Sequence, residues 1–457
     1  MKNILNKFVC TALIAGSVAV SSCTTDDLNP TLAQQKEDQN AFSNVDDMEG
    51  VLKGMYNRLT PAAYYGRDYL VTNEARTPNI WANGSSGRFV TQASFSQGAT
   101  GLYFWDNAYA AIATANILIG LDVETLEGDL DYARHMQGQA YAVRALAHFD
   151  LLKTFGQQHT GGNLGVPYIT EFKGEDLLPA RGTVEDNKNA IYADLEQAYQ
   201  IMDESFFDSS KEFVSKYVAP ALESRVAVYF GDWERARDAA DLVIESGKYS
   251  VVAADQFIES FATDGGVNSI FELAYRDTDN PGSDSMEYIY RGCSYGDISV
   301  TQNTFDNLYE SDSDVRTNVF GTETCGDDEF LRNIGKFPSR SSNINVIRYE
   351  EVVLNYAEAL YELGEGDPLQ WLNMIPEHRN ADTYSTVTKE NILEERREEF
   401  IFEGLYYWDL LRTEQDIVRS EGQVINIPYG DPRTAWPIPL SELDANSNIV
   451  QNPGYQG

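Results

Sequence analysis

Apolar positions recur at three- and four-residue spacing along most of the chain, the period of helices that bury one face. Val51, Met55 and Leu59, with Tyr56 beside them, mark a helix from about 33 to 60 that Pro61 ends. Trp105, Tyr109, Ile112, Asn116, Ile117 and Gly120 mark a second. Ala140, Arg144, Ala145, His148 and Leu152 lie along one side of a third, from about 132 to 155. Thr183, with Asp186 three residues on, caps a fourth that carries Ile191, Leu195, Ala198 and Met202. Further helices are predicted over 346–363 and 367–375, joined at Gly364-Glu365-Gly366, and one long charged helix over 388–412.

The segment 219–249 is the clearest unit. Ala221, Leu222, Val226 and Tyr229 precede the turn Gly231-Asp232-Trp233, and Ala236, Ala239, Ala240 and Val243 follow it. Small residues facing one another let two helices approach closely, the construction of tetratricopeptide-type hairpins. Two stretches lack any sustained period: 61–100, rich in Tyr, Gly, Asn, Ser and Arg, and 262–345, rich in Gly, Asp, Asn and Ser. The pattern therefore predicts an all-α protein, a helical scaffold interrupted by two long irregular insertions. Such loops within compact domains often carry function.

The chain's first residues read as a leader. Lys2 and Lys7 precede an apolar run from Phe8 to Val20, too short to span a bilayer as a helix, and Ser21-Ser22 lead into Cys23. The expectation is a lipoprotein signal over 1–22 with Cys23 as the lipid acceptor, followed by the polar tether Thr24 to Pro30. Loss of Lys2 and Lys7 would take the formal charge of −37 to −39, a surface that repels nucleic acid and anionic lipid. Of four cysteines, Cys10 falls in the leader and Cys23 at its end. Cys293 and Cys325 remain, and their spacing leaves a disulfide open.

Catalytic signatures are absent. The four histidines form no H-x-x-x-H or H-E-x-x-H pair, and no nucleophile elbow, P-loop or dinucleotide fingerprint occurs. Glu395-Arg396-Arg397-Glu398-Glu399 holds paired carboxylates, but arginines among glutamates favour the charged form, the wrong direction for a general acid. That run reads as a structural ion-pair network, with Glu395 and Glu399 on one face and Arg396 reaching toward Glu399 or Glu403. Asp277 to Gly282 begins like a calcium loop, yet its twelfth position is Tyr288 rather than glutamate. No cofactor is expected; a looser calcium site on so acidic a surface stays open.

The two insertions carry the candidate binding chemistry. Tyr64, Tyr65, Tyr69, Trp81 and Phe89 are interleaved with Arg67, Arg76, Asn79, Asn83 and Arg88. Tyr275, Arg276, Tyr288, Tyr290, Arg291 and Tyr295 form a second set. Flat rings can stack on the apolar faces of sugars while amides and guanidinium groups meet the hydroxyls. Trp81, within Asn79-Ile80-Trp81-Ala82-Asn83-Gly84, is expected to be an exposed stacking residue.

By motif, the chain resembles the SusD/RagB family of outer-membrane lipoproteins over nearly all of its length after Cys23. Glu395 to Gly404, followed by Trp408-Asp409-Leu410-Leu411-Arg412, is the most specific match. Arg348 to Ala359, Trp436-Pro437-Ile438-Pro439 and the ending Gln451-Asn452-Pro453-Gly454-Tyr455 support it. The chain departs from the pattern near Tyr406, where an arginine is usual, and at Pro376 and His378, where the family has Ile-Arg-x-Arg. The resemblance implies a tetratricopeptide-like helical scaffold carrying irregular ligand-binding insertions, with an N-terminal region over 23–220, a C-terminal region over 221–457, and a surface-exposed lipid anchor in the outer membrane. It further implies oligosaccharide capture, rather than catalysis, for a TonB-dependent SusC-like transporter. An oligopeptide ligand is the alternative within the family, and a surface glycosidase the alternative outside it.

Overall fold

The computed structural model describes residues 42–456 except 102 and 174–177, so the leader, Cys23 and residues 33–41 lie outside the described residues. Helix α1 (Val45–Asn57) begins where the Asn44 side chain accepts the Asp47 amide, and it buries Met48, Leu52, Met55 and Tyr56. It packs on α3 (Trp105–Ile119) and α4 (Leu130–Phe155). Helix α4 is buried around most of its circumference, because α1, α3, α5 (Val184–Ile201) and α6 (Val218–Phe230) all lie against it. The start of α5 is a complete capping box: Thr183 and Asp186 satisfy each other's backbone amides. From α6 the stack continues through α7 (Trp233–Glu245), α8 (Tyr349–Leu363) and α9 (Pro368–Glu377), each helix against its predecessor. This is the predicted scaffold of paired helices.

The two insertions are more ordered than their composition suggested. Residues 61–100 contain α2 (Asp68–Ala75), buried along its length after Asp68, and strand β1 (Ile80–Ala82). Within 262–345 lie β2 (Ser269–Leu273), β3 (Ile298–Val300), β4 (Phe320–Cys325), β5 (Asp328–Asn333) and the start of β6 (Ile344–Arg348). Strand β1 pairs antiparallel with β3, Trp81 opposite Ser299, so one ribbon joins the two insertions. Strands β2 and β6 pair, as do β4 and β5, and a last hairpin joins β7 (Ile417–Arg419) to β8 (Ile425–Ile427). The fold remains mainly helical.

The long helix expected over 388–412 is two helices, α10 (Lys389–Phe400) and α11 (Tyr406–Arg412). Phe402 and Gly404 between them have φ of 73° and 74°, and a Cβ on Gly404 would lie 2.8 Å from the Leu70 carbonyl oxygen. Only glycine fits where the chain turns back against α2.

Buried charge holds the helices together. Arg316 donates to Asp314, Glu395 and Glu398; Arg379 and Arg348 both donate to Glu399 and both pair with Glu350. Lys336 and Arg348 share Glu403. Guanidinium groups of Arg379 and Arg348 hold the Glu399 carboxyl below its usual range, whereas burial pushes Glu395 and Glu398 up, opposite to the charged form expected of carboxyls among arginines. Arg396 turns away from this network, contrary to its predicted reach, and bonds Asp409 and Asn355. Arg379 follows the atypical Ile375-Pro376-Glu377-His378, whose helix ends there, and it supplies the buried cation.

The C-terminal part also closes the N-terminal one. Arg419 donates to the carbonyls of Ala75, Thr77, Ile80 and Ala93, and Arg76 donates to those of Arg433 and Thr434.

Candidate ligand-binding site

Most of the first aromatic set is core. Tyr64, Tyr65 and Tyr69 are 0%, 2% and 3% exposed, and all three hydroxyls donate to the Asp150 carboxylate at 2.6–2.8 Å. Burial raises all three phenols well above their ordinary range. Lys153 Nζ lies 3.3 Å from Asp150, and burial pulls that ammonium down to about 8. These tyrosines therefore present nothing to an open surface. Arg76 is buried against Phe95, and buried Asn79 donates to Glu74 while accepting from Arg397. Burial pushes the Glu74 carboxyl up to about 7.

Trp81 is half-buried and closely covered. A Cβ placed on Gly422, in the β7–β8 turn, would lie 2.5 Å from Trp81 Cβ and Cγ, so that backbone rests directly on the side chain. The exposed indole expected from its polar neighbours is instead a packing element. In the second set, Tyr290 is buried beside Phe337 and Phe402, and Arg291 donates to the carbonyls of Asn333, Lys336 and Pro338. Both are structural.

What stays at the surface converges. Tyr295, 43% exposed, lies with its ring centroid 6.0 Å from that of half-buried Tyr288. The Arg88 guanidinium stands 4.9 Å over Tyr295, and that of Arg340 stands 4.3 Å over Tyr288. Arg88 and the buried Arg67 both donate to exposed Asp284, and Arg88 also bonds Asp297. Asn83 donates to the Gly296 carbonyl and to Ser299, which ties the first insertion to the loop carrying Tyr295. Cys293 and Cys325 form a disulfide with Cα atoms 5.2 Å apart, bracing the same loop to the β4–β5 hairpin.

Asp284 also borders an open cavity of about 690 Å³. Its walls are the end of α1 with Asn57 and Arg58, then Pro61, Glu212, Phe213, Tyr275 and the turn Asp279 to Pro281. That volume lies within the range of small-ligand sites. The turn that began like a calcium loop is closed internally, with Asn280 donating to the carbonyls of Arg276 and Asp277.

The sequence placed Arg67, Asn83, Arg88, Tyr288 and Tyr295 among the candidates, and the structure brings them together. It missed Asp284, Arg340 and the α1 end of the cavity. Asp284 follows Pro281-Gly282, and no spacing tied it to arginines at 67 and 88.

A helical scaffold with an open cleft lined by Arg58, Tyr275 and Asp284, and a tyrosine–arginine surface joined to it through Asp284, is an architecture for holding a ligand. A family profile described as "Starch-binding associating with outer membrane", SusD-like, matches residues 32–228, and the SusD family profile matches 334–455. A SusD-like protein of Formosa agariphila is 25% identical over 483 residues, covering 91% of this chain and 93% of that protein. Starch-binding protein SusD of Bacteroides thetaiotaomicron is 30% identical over 122 residues, 25% of this chain and 22% of that protein. The solved structure of a SusD superfamily protein from Bacteroides vulgatus, 28% identical, aligns with a TM-score of 0.84 over 91% of this chain and 100% of that one. The chain belongs to the SusD/RagB family.

Proposed function

We propose that this protein is an oligosaccharide-binding lipoprotein of the outer-membrane surface that passes its ligand to a TonB-dependent, SusC-like transporter. The observation that carries the reading is the Tyr288–Tyr295 pair, linked through Arg88 to Asp284 at the edge of the 690 Å³ cleft. Rings of this kind stack on sugar faces, and the flanking charged groups meet hydroxyls. The family profile described as starch-binding and the starch-binding relative support the ligand class. Binding without catalysis is supported by the fate of the paired carboxylates. Glu395 and Glu399 are buried and bonded to arginines, remote in role from any solvent-exposed acid–base pair.

Calorimetric titration with a panel of oligosaccharides and oligopeptides, followed by chromatography of the incubated sugars, tests this. Retention of an intact oligosaccharide supports the proposal, and cleavage or a preference for peptides overturns it. Cys23 is proposed as the anchor; labelled palmitate incorporated by a Cys23→Ala variant would refute that. Mild-detergent purification should bring a β-barrel partner with the protein.

A further inference from the structure

A second cavity lies on the helical side of the molecule and shares no lining residue with the cleft above. It has a volume of about 180 Å³ and opens beside the Gly231-Asp232 turn that joins α6 to α7. Below the usual range for drug-sized ligands, this is room for a single ring. Phe230, Trp233 and Tyr429, each half-buried, give it an aromatic wall.

Its polar groups are specific about what could enter. Gln158 Oε1 is buried with no hydrogen-bond partner, an acceptor that a ligand hydroxyl would satisfy. His159 lies between the hydroxyls of Tyr229 and Tyr429, at 2.9 and 3.4 Å, so Tyr429 is held only loosely and its hydroxyl is available. Burial pulls the His159 imidazole down to about 4, so it is neutral at physiological pH. The two cations on the wall are already engaged. Lys389 lies 2.6 Å from both Glu358 and Glu362, and Arg412 pairs with Glu358 and Asp409. No free positive charge is left for an anion, and the unpartnered oxygen disfavours a purely apolar guest.

We propose that this cavity is a second carbohydrate subsite, taking one neutral sugar ring whose hydroxyls bond Gln158 and Tyr429 against the Trp233 wall. Its ligand class rests on the proposed function, but its location does not. Saturation-transfer NMR on the full chain with glucose, galactose, mannose and xylose, one at a time, tests it. With the Tyr288→Ala/Tyr295→Ala variant, at least one of these sugars should keep most of its signal. With Trp233→Leu/Tyr429→Ala the same signal should fall about fivefold or more, as loss of roughly 1 kcal/mol implies. Gln158→Leu should lower the signal without lowering the melting temperature, since it removes an unsatisfied buried oxygen. The reverse pattern, with the signal lost only when Tyr288 and Tyr295 are removed, would overturn the subsite and leave the proposed function intact. No signal with any of the four sugars would also overturn it, while oligosaccharide titration reports on the proposed function separately.

Discussion

Residues 64–69 and residues 288–295 look alike as sequence: three tyrosines and an arginine within six positions, against three tyrosines and an arginine within eight. In the fold they part. Tyr64, Tyr65 and Tyr69 turn inward because α4 offers one carboxylate, Asp150, that accepts all three hydroxyls in the dry interior. Tyr288 and Tyr295 lie outside any such reach, and their partners are guanidinium groups at the surface. The fate of a tyrosine cluster is thus decided by the acceptor it can find, rather than by the polarity of its neighbours.

That contrast can be broken in a graded way. Asp150→Leu should leave three buried hydroxyls and Lys153 without their partner and cost about 3–5 kcal/mol, measured by urea unfolding. Survival at wild-type stability would mean that the inner cluster does not depend on its shared acceptor.

Acid should act on the same interior. His148, between the Arg144 carbonyl and the Ile169 amide, and His159 are lowered by burial to about 3 and 4. The unfolded chain binds protons at these groups from about pH 6.5 downward while the folded chain does not, so stability is lost as pH falls toward 4. Each of these histidines removes about 1.4 kcal/mol per pH unit in that range, while the raised carboxyls of Glu74 and Glu398, which take up protons on folding, act in the opposite direction. Unfolding curves of the wild type and of His148→Gln between pH 7 and 4.5 check this: the variant should lose less stability toward acid, and parallel curves would contradict it.

Trp81→Ala separates packing from binding. With Gly422 resting on the ring, the change should cost about 2 kcal/mol of stability and leave oligosaccharide affinity within about twofold. A large affinity loss with an unchanged melt would return Trp81 to the site. Tyr295→Ala is the smallest in energy and the opposite in kind. It should weaken oligosaccharide binding about tenfold, roughly 1.4 kcal/mol, with the melting temperature unmoved. Unchanged affinity in titration would remove the outer pair from the binding surface.

The helical scaffold was legible because its signals are local. The hairpin over 219–249, the Thr183 cap and the Gly364 turn all lie within a few residues of what they define. The break between α10 and α11 was missed although Gly404 marked it, because the need for that glycine is set by Leu70, over three hundred residues away. The binding region was half legible for the same reason. Composition pointed to both insertions, but neither the Asp150 acceptor, 81–86 residues from its tyrosines, nor the β1–β3 pairing has a local sign. Trp81 shows the cost most clearly: polar neighbours suggested exposure, and a hairpin from the far end of the chain covers it.

The Arg419 contacts bear on when the protein can finish folding. A ribosome produces residues 75–93 long before residue 419, yet that arginine is what satisfies the carbonyls of Ala75, Thr77, Ile80 and Ala93. Until it arrives these groups either stay hydrated or are buried at a loss. The bonds by which Arg419 closes residues 75–93 can therefore form only as the last tenth of the chain appears. A clasp supplied by the trailing end thus makes closure of the first insertion one of the last steps open to a newly made chain.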